Sequence, residues 1–126
     1  MNLNNKIVVV TGGAGGIGAA LCRALANKGA KVVVSDLNLE AAQLVATGIS
    51  GLAIECDVSS ESEIQNLISQ TETQLGAIDL FVSNAGFGVG EPDHAASASN
   101  DVWQKNWQLH VMSHVWASRA LLPKMI

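Results

Sequence analysis

Short β-branched runs alternate with amphipathic segments along this 126-residue chain. That alternation narrows the architecture more than any other feature. Lys6 to Val10 (KIVVV) is a continuous apolar run, as expected of a strand buried on both faces. Ile17 to Lys28 then has helical spacing, with Ile17, Leu21, Ala24 and Leu25 on one face and Gly29 at the stop. Lys31 to Asp36 (KVVVSD) predicts a second strand, Leu39 to Thr47 a helix closed by Gly48, and Gly51 to Asp57 (GLAIECD) a third strand. Ser60 and Glu63 have the spacing of a capping box. They open a helix to about Leu75, with Ile64, Leu67 and Ile68 on one face. Ala77 to Gly86 (AIDLFVSNAG) is the fourth strand and its exit. Residues 86–101 read as a polar loop in which His94 is solvated. Asn100 or Asp101 then caps a last helix from about Val102 to Pro123. Strand–helix alternation of this kind predicts one α/β domain over residues 1–126. Its sheet is parallel and doubly wound, with strand order 3-2-1-4 and helices on both faces.

The totals exclude several classes of function. A hydrophobic fraction of 48% against 14% charged residues argues against disorder. Net charge is −4 and no basic cluster occurs, so nucleic acid is not the expected partner. No apolar run reaches membrane-spanning length, and the run after Met1 is too short for a secretory leader. Cys22 and Cys56 form no CxxC and are too few for a disulfide framework. Free thiols in the cytoplasm are the expectation. His110 and His114 have the i, i+4 spacing of a metal pair. No acidic or cysteine ligand is placed to complete a site, and "HVMSH" lacks the glutamate of a zinc-protease helix. No metal is expected.

Gly12, Gly13, Gly15, Gly16 and Gly18 crowd the turn between the first strand and first helix. Glycine there lets a ligand approach the backbone and lets the chain turn tightly. A helix N-terminus presents unpaired N–H groups and partial positive charge, suited to a diphosphate. Three registers overlap: Gly13, Gly15 and Gly18; Gly12, Gly15 and Gly18; and Gly12, Gly16 and Gly18. The competing reading is a glycine-rich turn without a ligand. The strand–turn–helix context favours a Rossmann-type dinucleotide site.

"TGGAGGIG" (Thr11 to Gly18), "CDVS" (Cys56 to Ser59) and "SNAG" (Ser83 to Gly86) together resemble a classical short-chain dehydrogenase/reductase. The closing "RALLPKMI" is similar to the end of that family's central helix. The resemblance runs the length of the chain. It implies the cofactor-binding half of an oxidoreductase that passes hydride between a nicotinamide and an alcohol or carbonyl carbon. It selects Gly12, Gly16 and Gly18 as the phosphate-loop glycines, with Thr11, Ala14 and Ile17 beside them.

Asp36 lies eighteen residues after Gly18, near the place of the carboxylate that binds the adenosine ribose. Repulsion of a 2′-phosphate at contact distance is worth roughly 1–4 kcal/mol, or about one to three decades of affinity. Neither Ala14 nor Leu37 offers a cation. NAD is therefore expected over NADP. The competing reading of Asp36 is a capping or turn aspartate. The resemblance also implies that Asp57 and Val58 border the adenine, and that Asn84, Ala85 and Gly86 border a ribose and tie neighbouring strands together.

Catalysis in the family uses a tyrosine, a lysine four residues later, and a serine, all beyond the central helix. This sequence contains no tyrosine. The expectation is a fragment of a longer enzyme, inactive alone. A substrate pocket would draw on Phe87 to Pro92 here and on residues elsewhere. The family's central-helix asparagine, seven residues after a tryptophan, helps hold a relay water. Counting from Trp103 reaches His110, the candidate catalytic residue of this half. Trp103, Trp107, Trp116, Leu109, Val111, Met112, Val115 and Leu122 make the last helix apolar nearly all round. One face should cover the sheet, and the other should meet a second copy in a homodimer or homotetramer. Two alternatives stand beside the oxidoreductase: an NAD-binding module without chemistry, and an S-adenosylmethionine methyltransferase. The second usually carries an acidic residue where Thr11 stands.

Overall fold

Burial explains the strands. β1 (Ile7–Thr11) is buried at every position, so its β-branched side chains pack on both faces of the sheet. It lies between β2 (Lys31–Asp36) and β4 (Leu80–Val82), and β2 pairs outward with β3 (Leu52–Glu55). All three pairings are parallel and the order is β3-β2-β1-β4, as the alternation predicts. The computed structural model describes residues 1–87, 93 and 96–126. The expectations for His94 and for Gly88 to Pro92 fall outside the described residues.

Period-two alternation divides the core into two layers. Val8, Val10, Val32 and Val34 face α1 (Gly16–Asn27) and α2 (Leu39–Gly48), meeting Cys22, Ala42 and Ala46. Ile7, Val9, Val33 and Ile54 face the other way. There they pack with Ile64, Leu67 and Ile68 of α3 (Glu61–Gln74) and with Leu109, Ala117 and Leu121 near the C-terminus. At the foot of the sheet the Asp79 carboxylate accepts the Ile7 N–H at 2.9 Å and pairs with Lys6 at 3.3 Å. The Ile7 hydrogen bond, ahead of Lys6, holds that carboxyl below its usual value.

Four expectations need correction. The buried face of α1 is Gly18, Ala19 and Cys22, whereas Ile17 is 75% exposed. Small residues face inward because Gly18 abuts Gly12 and Asn84 while Ala19 and Cys22 pack on the valines of β1 and β2. Ser60 caps α3 without a side-chain bond. Its own N–H is taken by the Asp57 carbonyl, so Glu63 turns to the Asp57 N–H instead (3.0 Å). The last helix is capped by Ser99, whose Oγ accepts the Val102 N–H at 3.3 Å. It is also not one α-helix. α4 (Asn100–Trp107) passes into a π-helical turn over Gln108–Met112, and α5 (Ser113–Met125) runs through Pro123. Ser113 Oγ donates to the Leu109 carbonyl at 2.6 Å inside that widened turn.

Candidate functional site

The exits of β1, β2, β3 and β4 meet at the carboxyl edge of the sheet, where ligands bind in doubly wound folds. The glycine loop opens there. Gly12 (φ +64) and Gly16 (φ +48) have left-handed backbones that disfavour a side chain. At Gly18 a Cβ would be driven into the Gly12 carbonyl oxygen and would stand 2.8 Å from Asn84 Nδ2. Gly15, by contrast, has an extended φ of −134 and nothing within 4 Å of a Cβ. Glycine is thus required by backbone conformation at Gly12 and Gly16 and by close contact at Gly18. The other two registers lean on Gly15, where it is not. α1 also lacks a side-chain cap and has no acidic residue in its first turn. Its leading amides therefore face outward without a competing carboxylate.

Thr11 and Asn84 form the hinge of this edge. Thr11 Oγ1 accepts the N–H groups of Asn84 (3.0 Å) and Ala85 (3.1 Å) and donates to the Val82 carbonyl (3.4 Å). Asn84 returns the tie, its side-chain amide donating to the carbonyls of Thr11 (3.0 Å) and Gly12 (3.4 Å). The exit of β4 is therefore locked to the glycine loop.

Asp36 reaches the loop from β2. Its Oδ2 accepts the Ala14 N–H at 3.1 Å and its Oδ1 the Asn38 N–H at 3.0 Å. The turn role weighed for Asp36 is present, and the carboxylate still lines the cleft. Asp57 likewise closes a local turn, with Oδ1 accepting from the Ser59 N–H (2.9 Å) and hydroxyl (2.6 Å). Two adjoining clefts result. One, about 490 Å³, runs over Gly15, Gly16, Ile17 and Gly18 to Asn84. The other, about 420 Å³, lies between Leu37, Asp57 and Val58 on one side and Lys105, Gln108 and Leu109 on the other. Gly12, Asp36, Ala85 and Gly86 border both. Cys56 also lines the second cleft, but burial and then the Glu63 and Asp57 carboxylates push its thiol up to about 12. It stays protonated and is no nucleophile.

The model of the short chain dehydrogenase family matches residues 6–126. The chain belongs to the short chain dehydrogenase family. It is similar to a 4-formylbenzenesulfonate dehydrogenase of Comamonas testosteroni, at 36% identity over 128 residues, covering 98% of this chain and 50% of that protein. It is also similar to the 7alpha-hydroxysteroid dehydrogenase of Escherichia coli, at 34% identity over 130 residues, covering 99% and 50%. A crystal structure of hydroxysteroid dehydrogenase from Escherichia coli superposes with a TM-score of 0.88 and 32% identity, covering 98% of this chain and 54% of that one. The chain spans half the length of these two curated relatives. Short chain dehydrogenases bind a nicotinamide dinucleotide, NAD or NADP.

Gly12, Gly16, Ile17, Gly18, Asp36, Leu37, Asp57, Val58, Asn84, Ala85 and Gly86 all border the two clefts. Two residues grouped with them stand differently. Thr11 is buried beneath the site, its hydroxyl consumed by β4, and the Ala14 amide is consumed by Asp36. His110 points to the Phe87 carbonyl at 2.8 Å, and His114 to Ser83 Oγ at 2.6 Å. The i, i+4 pair is thus split between two partners across the π-helical turn. Among the described residues no group of three His, Cys, Asp or Glu gathers as a metal set. No helix among them is long and apolar enough to cross a membrane. Sequence reasoning missed Lys105 and Gln108 as cleft residues. They line it from the end of α4 and the start of the π-helical turn, far along the chain from the cleft residues at the strand exits, and no local motif signals that.

Proposed function

We propose that this chain is the dinucleotide-binding half of an NAD-dependent alcohol or carbonyl oxidoreductase. One observation carries the reading: residues from four separate segments border a continuous pair of clefts whose turn demands glycine at Gly12, Gly16 and Gly18. The residues fit a dinucleotide. The outward amides of α1 would hold the diphosphate, Asp36 the adenosine ribose, Asp57 and Val58 the adenine, and Asn84 to Gly86 the second ribose. When bound, the nicotinamide supplies the hydride donor or acceptor. The chain's part is to orient it and to exclude a 2′-phosphate through the Asp36 charge. With no tyrosine among these residues, proton transfer in the whole enzyme would need groups from outside them.

An NAD-binding module without chemistry is the second reading, favoured by His110 at the position of the family's asparagine. Calorimetric titration with NAD, NADP and S-adenosylmethionine tests the reading. NAD should bind most tightly. Binding of S-adenosylmethionine alone would replace it with the methyltransferase reading, and binding of none would end it. Turnover of NADH with ketones by any longer form separates enzyme from module.

We also propose a cytoplasmic setting, supported by two buried free cysteines. A homodimer or homotetramer through the last helix is supported by its uncovered face, where Trp103, Trp107 and Leu122 are each more than half exposed.

A further inference from the structure

The structure gives His110 a task different from holding a relay water. Its Nε2 lies 2.8 Å from the Phe87 carbonyl oxygen. A carbonyl only accepts, so Nε2 carries the proton and donates. The ring lies against Gly86, where a Cβ would stand 2.8 Å from His110 Cε1 and 3.2 Å from Nδ1. The Phe87 ring is tilted 58° to the imidazole, with centroids 6.4 Å apart. Phe87 and Gly86 both line the cleft beside Asp57 and Val58. His110 sits in the middle of the π-helical turn, so the irregularity between α4 and α5 is also where the helix reaches the β4 exit.

We infer that His110 is a positioning residue, a latch that fixes Phe87 and Gly86 as one wall of the nucleotide cleft. Thr11 and Asn84 secure the start of that exit, and His110 secures its end. Gly86 has no left-handed φ. Its lack of a side chain is needed to admit the His110 ring. Asparagine would carry its amide nitrogen near the place of Nδ1, short of the Phe87 oxygen. Glutamine would carry its own near the place of Nε2. This inference deepens the dinucleotide reading and rests on it for its effect on affinity.

The test compares wild type with His110→Gln, His110→Asn and His110→Leu. Titrated with NAD, the Asn and Leu variants should bind about tenfold more weakly, the value of one lost hydrogen bond at an ordering site. The Gln variant should stay within about threefold of wild type. Gly86→Ala should weaken NAD in the wild-type background, because the methyl displaces the ring, and should add little in His110→Leu. Equal affinities for the Asn and Gln variants, or a Gly86→Ala effect of the same size in both backgrounds, would overturn the latch. Hydrogen exchange at the Gly86 and Phe87 amides decides it independently of any nucleotide. Exchange should quicken in His110→Leu and recover in His110→Gln, and no change would refute the latch. Failure of wild type to bind NAD sinks the dinucleotide reading instead and leaves the exchange result to judge the latch.

Discussion

Replacing Gly18 by alanine should be the most damaging single-methyl change in the glycine loop. The added Cβ would run into the Gly12 carbonyl oxygen and stand 2.8 Å from both the Gly12 carbonyl carbon and Asn84 Nδ2. Two of those three neighbours are backbone, so neither can swing aside. Relief requires α1 to move away from Gly12 and Asn84 to give up its bonds to the Thr11 and Gly12 carbonyls. Overpacking of this kind costs roughly 1–3 kcal/mol, and each lost bond adds about 1 kcal/mol. A total of about 3–5 kcal/mol is a large share of the ~5–15 kcal/mol that holds a domain together. For a chain of this size it lowers Tm by about 10–20 °C. The control is Gly15→Ser. Gly15 has an extended backbone, open space and the N-cap position of α1, so serine there should be neutral or slightly stabilising. Thermal unfolding followed by circular dichroism reads both. Equal Tm values for the two variants would show that the close approach of helix to strand is not what demands glycine at Gly18.

Thr11→Val removes the acceptor of the Asn84 and Ala85 amides and should cost about 2 kcal/mol in urea unfolding; Thr11→Ser should cost less than half as much. Asp36→Asn keeps the size of the side chain and removes its charge, so the ratio of NADP to NAD affinity should rise by about tenfold or more; an unchanged ratio would free Asp36 of any part in cofactor choice. Burial raises the Cys22 thiol to about 11 and the Cys56 thiol to about 12 from an ordinary 9.0. The folded state therefore keeps protons that the unfolded chain releases. Their contribution is whole below pH 9, and stability falls as pH climbs toward 11 and 12. Urea midpoints measured between pH 8 and about 11 should flatten in a Cys22→Ala, Cys56→Ala double variant, and an equally steep fall would assign the alkaline loss to other groups.

Much of the fold was legible because its cause is local. A β-branched run such as Ile7 to Val10 can be satisfied only by burial on both faces. Repetition of that run with helical segments between leaves few topologies. The glycine loop after β1 and Asp36 at the end of β2 were legible for a related reason, because parallel pairing brings the strand ends to one edge. The family resemblance, not the local pattern, picked out Gly12, Gly16 and Gly18 among the glycines and drew in Asp57 and Asn84.

What the chain order could not convey is which neighbour each side chain meets across the fold. Apolar spacing placed Ile17 inward, yet Gly18 seats closely on Gly12 and Asn84, and Ile17 faces solvent. Capping-box spacing paired Ser60 with Glu63, yet the turn from Asp57 had already used the Ser60 N–H. The His110 latch on Phe87 and the presence of Lys105 and Gln108 at the cleft depend on Leu109, Ala117 and Leu121 joining the sheet core from far along the chain. Periodicity, propensity and turn chemistry act over a few residues, so the sequence alone determined the sheet, its order and the residues at its carboxyl edge. Steric fit and hydrogen-bond competition act between segments far apart in the chain, and only the tertiary structure decided those contacts.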